Sequence, residues 1–122
     1  MKIRSLTVLL IMGIMIAALA TYSYAVNIEK VYAHYCTQCH GPKGDGKGPN
    51  ASALTVTPRN HTDPKEMGKL SDKDIATAIE EGGGAVGKST AMPVWGKTLT
   101  KEEVAEMVKH LRKLCNCTGP AN

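Results

Sequence analysis

Phenylalanine is absent from the 122 residues, tryptophan occurs once and tyrosine four times. Two tyrosines, Tyr22 and Tyr24, follow an N-terminal apolar run, which leaves Tyr32, Tyr35 and Trp95 as rings for a core. Chains of this length lean on large rings for buried area, so either the fold is marginal or a non-protein group fills its centre. No acidic or proline-rich tract indicates disorder, and no dense cysteine framework indicates a disulfide scaffold. No stretch alternates as a strand would, and no repeat is visible. The net charge of +4 includes Lys2 and Arg4 and lacks the large clustered positive balance of a nucleic-acid binder. The length allows a single core.

What is present begins with an export leader. Lys2 and Arg4 precede an uncharged apolar run from Leu6 to Ala20, and Ser23-Tyr24-Ala25 supplies the small residues of a cleavage site. Cleavage is expected after Ala25, leaving residues 26–122 as one domain in the periplasm or otherwise exported. The run is shorter than the ~20 residues that span a hydrocarbon core, so no lasting membrane anchor is expected. No cysteine near its end offers a site for lipid attachment.

The remainder reads as all-α with long loops. Asn27 can cap a helix from Ile28 to about Tyr35 that ends at the cysteines. Gly41–Asn50 carries too much glycine and proline for regular structure, and Ala51–Asn60 has no helical period. Asp63-Pro64 opens a short turn through Leu70, and Ser71 caps a helix with Ile75, Ala78 and Ile79 on one face, stopped at Gly82-Gly83-Gly84. Thr100 with Glu103 forms a capping box for a last helix along which Val104, Met107, Val108 and Leu111 share a face.

Cys36-Thr37-Gln38-Cys39-His40 is a C-x-x-C-H sequence, the attachment signature of a c-type haem. Two thiols at this spacing can add to the two vinyl groups of one haem while the next histidine turns its ring onto the iron. Export and motif agree, because this attachment takes place outside the cytoplasm. A Cys36–Cys39 disulfide would need no His40, and a zinc site would need Cys115 and Cys117 as further ligands. Neither accounts for the glycine-rich loop or for Met92.

The second axial ligand decides between electron transfer and ligand chemistry. Met107 belongs to the apolar face of the last helix and Met67 to a short capped helix. Met92, in Ala91-Met92-Pro93-Val94-Trp95-Gly96, has a backbone restrained by the following proline without being helical, and it can present its sulfur to the iron from the side opposite His40. His61 is the competing imidazole, and bis-histidine ligation would lower the potential.

Cys36–Gly41, the Gly44-x-Gly46-x-Gly48-Pro49 loop, Pro58-Arg59, Leu70-Ser71-Asp72, Gly82-Gly83, Met92-Pro93-x-Trp95-Gly96 and Leu111-Arg112-x-Leu114 follow one another in an order that resembles the small class I cytochromes c. The resemblance implies the small cytochrome c fold, one covalently attached haem c, and His40 and Met92 as iron ligands. It also implies that the Pro49 carbonyl accepts the His40 Nδ1 proton, that Arg59 lies near a haem propionate, and that the first and last helices cross beside the haem edge. Trp95 would cover the pocket near Met92. Ile28 stands where the family usually has a small glycine and His110 where an aromatic ring is common, whereas Tyr32 fits the aromatic position. Cys115-Asn116-Cys117 is outside the family pattern, and a local disulfide is its simplest state. Lys109, Arg112 and Lys113, with Lys43 and Lys47, offer a weak basic surface for an acidic partner.

The expected function is one-electron transfer between redox protein partners, one of which is a candidate membrane-bound oxidoreductase. A peroxide- or gas-binding haem protein with a labile methionine, and a haem-free thiol or zinc protein, are the alternatives. Residues expected around the haem are Val31, Ile79, Trp95, Val104 and Leu111.

Overall fold

Asn27 opens the first helix by accepting the Lys30 amide on its side chain at 3.0 Å. In the computed structural model, which describes residues 26–121, this helix (α1, Ile28–Val31) does not stop at the cysteines as expected. It passes into a π-helical turn over Tyr32–Cys36 and continues as α2, Thr37–His40. The Thr37 amide bonds back to the Tyr32 carbonyl, the five-residue step that defines the π turn. The expected leader, residues 1–25, lies outside the described residues.

The continuation to His40 depends on bonds from the loop that follows it. A helix end leaves its last carbonyls without partners. Here the glycine-rich loop folds back and supplies them, Gly41 to Thr37 at 2.9 Å, Asn50 to Gln38 at 2.9 Å, Gly48 to Cys39 at 3.0 Å and Gly46 to His40 at 2.7 Å. A Cβ at Gly48 would stand 2.5 Å from the Gln38 carbonyl oxygen, so only glycine allows the two backbones to meet there. The loop is thus the cap of α2.

A 3₁₀ turn at Ala51–Ala53 interrupts the otherwise irregular segment 51–60. Asp63 caps α3, Pro64–Met67, with proline in its first turn; the helix ends before the expected Leu70. Ser71 and Asp74 form a reciprocal capping box for α4, Asp72–Glu81. A second 3₁₀ turn, Gly83–Val86, follows. Thr100 and Glu103 form the expected box at the start of α5, Lys101–Cys115. No strand occurs among the described residues, and none of their helices is long and apolar enough to cross a membrane.

Helix α5 packs on α1 and α4, and the buried side chains form one cluster. Ile28 enters it from α1 and Val104, Met107, Val108 and Leu111 from α5. Met67 and Val104 are 1% exposed, and methionine occupies space that larger rings commonly take. The expected basic surface is reduced, because Arg112 is tucked in at 13% side-chain exposure and Lys109 is paired with Glu106 at 2.7 Å. Cys115 and Cys117 are disulfide-bonded.

Candidate functional site

The chain forms a cavity of about 670 Å³, open on one side, whose wall includes Cys36, Cys39, His40 and Met92. Pockets for small molecules and cofactors run from about 300 to 1,000 Å³, so the space suits one large flat group. Val31, Met67, Ile75, Ile79, Trp95 and Leu111 contribute to its mainly apolar wall. Val104, expected to face the same space, is instead in the helical core behind it.

Cys36 and Cys39 are free thiols, half-buried in the wall, in a structure that pairs Cys115 with Cys117. Burial, with Cys39 close by, pushes the Cys36 thiol up to about 11. His40 Nδ1 lies 2.9 Å from the Arg59 carbonyl oxygen. A carbonyl can only accept, so Nδ1 carries the proton and the Nε2 lone pair is left for a metal. Burial also lowers the His40 pKa, which keeps the ring neutral. This corrects the sequence reading, in which the Pro49 carbonyl held that place. Pro49 is exposed, beside Gly48, whose amide is committed to Cys39.

His61 lies face to face with His40, ring centroids 4.1 Å apart and planes 19° from parallel. A ring in contact with His40 stands on its side of the cavity, so His61 is not placed to bind opposite it. Its Nδ1 is 2.9 Å from the Tyr32 hydroxyl. Burial, with His40, Arg59 and His110 nearby, lowers its pKa to about 2, and the ring is neutral. Tyr32, in turn, packs against His110 at 4.8 Å and, through burial, has a pKa above the ordinary phenol range. His110 therefore replaces an aromatic ring in packing. The stack of His61 on His40 carries no signal in the sequence, because only the path of the chain brings the two rings together.

Met92 is held through the end of α4. The last carbonyls of α4 accept from a downstream segment, Ile79 from the Trp95 amide and Glu80 from the Gly96 amide, both at 3.0 Å. Gly83 donates to the Met92 carbonyl at 3.3 Å. Gly82 has φ +82°, and a Cβ there would stand 2.9 Å from the same carbonyl oxygen, so glycine is required where the helix meets the methionine loop. Trp95 is half-buried on the wall with Tyr35 at 5.4 Å, and Arg59 Nη1 pairs with Glu66 at 3.5 Å at the cavity edge.

Two free thiols, a histidine with its metal-binding nitrogen available and an apolar chamber fit a covalently bound haem c. The fold and this donor set define a c-type cytochrome, a domain for haem-based electron transfer. The family described as cytochrome c oxidase, cbb3-type, subunit III matches residues 25–111, and the chain belongs to it. It is also similar to a solved structure, the reducing HAO-like protein complex Kustc0457/Kustc0458 of Kuenenia stuttgartiensis, at 27% sequence identity and a TM-score of 0.58. The likeness covers 75% of this chain and 43% of the other, so this chain spans less than half the length of that neighbour. No curated protein matches the sequence.

Proposed function

We propose that the protein is an exported monohaem electron carrier in which His40 and Met92 are the two axial ligands. The observation that carries this reading is the meeting of the Cys36, Cys39 and His40 motif with Met92, distant from it in sequence, on the wall of one cavity. When bound, the haem supplies a one-electron iron couple. Cys36 and Cys39 would hold it covalently. His40 would bind through Nε2 with its ring orientation fixed by the Arg59 carbonyl and by the His61 face. Met92 would offer a neutral thioether, a donor suited to both oxidation states. Arg59 would lie beside a propionate while remaining near Glu66, and Trp95 would exclude water on the Met92 side.

Tyr35, at 61% exposure, and Val56, at 39%, stand at the mouth of the cavity, with Val94 exposed next to the wall residues Pro93 and Trp95. These apolar side chains suit brief contact with a redox protein. The structural neighbour belongs to a protein complex, which is consistent with a redox protein as partner.

The test is the absorption spectrum of the reduced holoprotein with and without carbon monoxide. The native protein is expected to bind it slowly or not at all, whereas Met92→Ala should keep the haem attached and bind it rapidly. Rapid binding by the native protein, or an unchanged ligation spectrum in Met92→Ala, would overturn the assignment.

A further inference from the structure

The Cys115–Cys117 disulfide lies beyond the family match, which ends at residue 111, and neither cysteine lines the haem cavity. Only Asn116 separates the two, and a ring so short removes far less chain entropy from the unfolded state than a long loop does. The bond therefore contributes little as a staple. Its two sulfurs are in unequal surroundings. Cys115 is 4% exposed within the core cluster, while Cys117 is half-exposed at the start of the C-terminal tail.

Arg112 Nη1 approaches Cys117 Sγ at 3.9 Å. The guanidinium is fixed there by the carbonyls of Met67 at 2.8 Å and Leu70 at 2.6 Å, and by the Asp72 carboxylate at 2.8 Å. A cation held beside one sulfur attracts an incoming thiolate and stabilises the thiolate released at that sulfur. Asp72 is 61% exposed and offsets only part of this charge.

We infer that the Cys115–Cys117 bond is a thiol–disulfide exchange site, in which Cys117 is the sulfur attacked, Cys115 the buried leaving sulfur and Arg112 the fixed cation. Its reaction partner is a thiol, either small or on a protein. A thiolate attacks Cys117 Sγ, the Cys115–Cys117 bond breaks, and Cys115 leaves and takes up a proton. A second thiolate attacks the partner sulfur of the mixed disulfide and releases Cys117 as a thiolate beside Arg112. Two thiols are oxidised to one disulfide, and the protein gains two electrons and two protons once Cys117 is protonated.

The experiment uses the folded, oxidised holoprotein with reduced glutathione, followed by alkylation and peptide mass analysis. Haem attachment occupies Cys36 and Cys39, so only this pair is expected to become modified. Modification of all four cysteines would sink the haem reading while still showing this pair to be reducible. In the reduced protein, Cys117 should be alkylated about tenfold faster than Cys115. Cys115→Ser, whose Cys117 is a free thiol, should form the mixed disulfide when given oxidised glutathione, its thiolate breaking the glutathione disulfide and releasing one reduced glutathione, and Asp72→Asn, which leaves Arg112 in place, should accelerate alkylation of Cys117. A pair that stays oxidised in excess glutathione, or a Cys115 that reacts first, would overturn the exchange site. An unchanged rate in Asp72→Asn would overturn the role given to Arg112.

Discussion

Tyr32 and His61 give the surroundings of His40 a polar contact inside an otherwise apolar wall. Because both are buried, neither has water to replace the other. Tyr32→Phe should destabilise the holoprotein by about 1–3 kcal/mol, the cost of leaving a buried acceptor or donor unpaired, and Tyr32→Phe with His61→Phe should lose less than the first change alone. Denaturant midpoints of the four proteins in that cycle measure the coupling. His110 faces the Tyr32 ring, with Glu29 and Lys113 in its field, and burial holds its pKa below the ordinary 6.5. The unfolded chain then binds this proton more readily than the folded one, so the contribution is present above about pH 6.5 and is lost as pH falls through the lowered value. The same denaturant midpoints taken across that acid range should fall less steeply in His110→Gln. Cys36, Cys39 and His40 are legible as an attachment motif from their spacing, and Met92 as a candidate ligand from its proline-restrained loop. The Arg59 carbonyl is not, because every residue carries that acceptor and only the path of the chain selects which one reaches Nδ1.

The elements divide in the same way. The capping boxes of α4 and α5 are local, and Ser71 with Asp74 and Thr100 with Glu103 announce both helix starts from residues three apart. Thr100→Ala should cost about 0.5–2 kcal/mol, read as a lowered midpoint without loss of the haem spectrum. The ends of α2 and α4 are different. Their terminal carbonyls are satisfied by amides from residues 41–50 and 95–96, bonds that neither propensity nor periodicity can show. For that reason α1 is expected from sequence to end at the cysteines, whereas helical structure runs on to His40. The π turn over Tyr32–Cys36 is likewise invisible in the apolar pattern, which shifts by a single residue there.

For the whole molecule, the shortage of aromatic rings and the cavity of about 670 Å³ are one fact. Without its occupant that apolar wall would face water, and the burial it forgoes weighs against a usual total stability of only about 5–15 kcal/mol. The haem-free chain is therefore expected to be largely unfolded, as circular dichroism of a Cys36→Ser/Cys39→Ser protein would reveal. A cooperative thermal transition in that protein would refute the expectation. Sequence composition made the missing interior volume legible, and the motif supplied its occupant. What remained hidden was that Met67 and Ile75 line that wall and Val104 does not, because the choice depends on helix rotation and not on hydrophobicity.

The amides of Gly46, Gly48, Asn50, Trp95 and Gly96 belong to loop residues, yet each is bonded to a helix-end carbonyl beside the cavity. None can be released by fraying a helix from its own end. Each opens only when its loop lifts off a helix end, so hydrogen exchange at these amides should track opening of the haem chamber. The slowest-exchanging positions of this all-helical protein would then include residues outside its helices, and protection measured there would report the lifetime of the closed chamber.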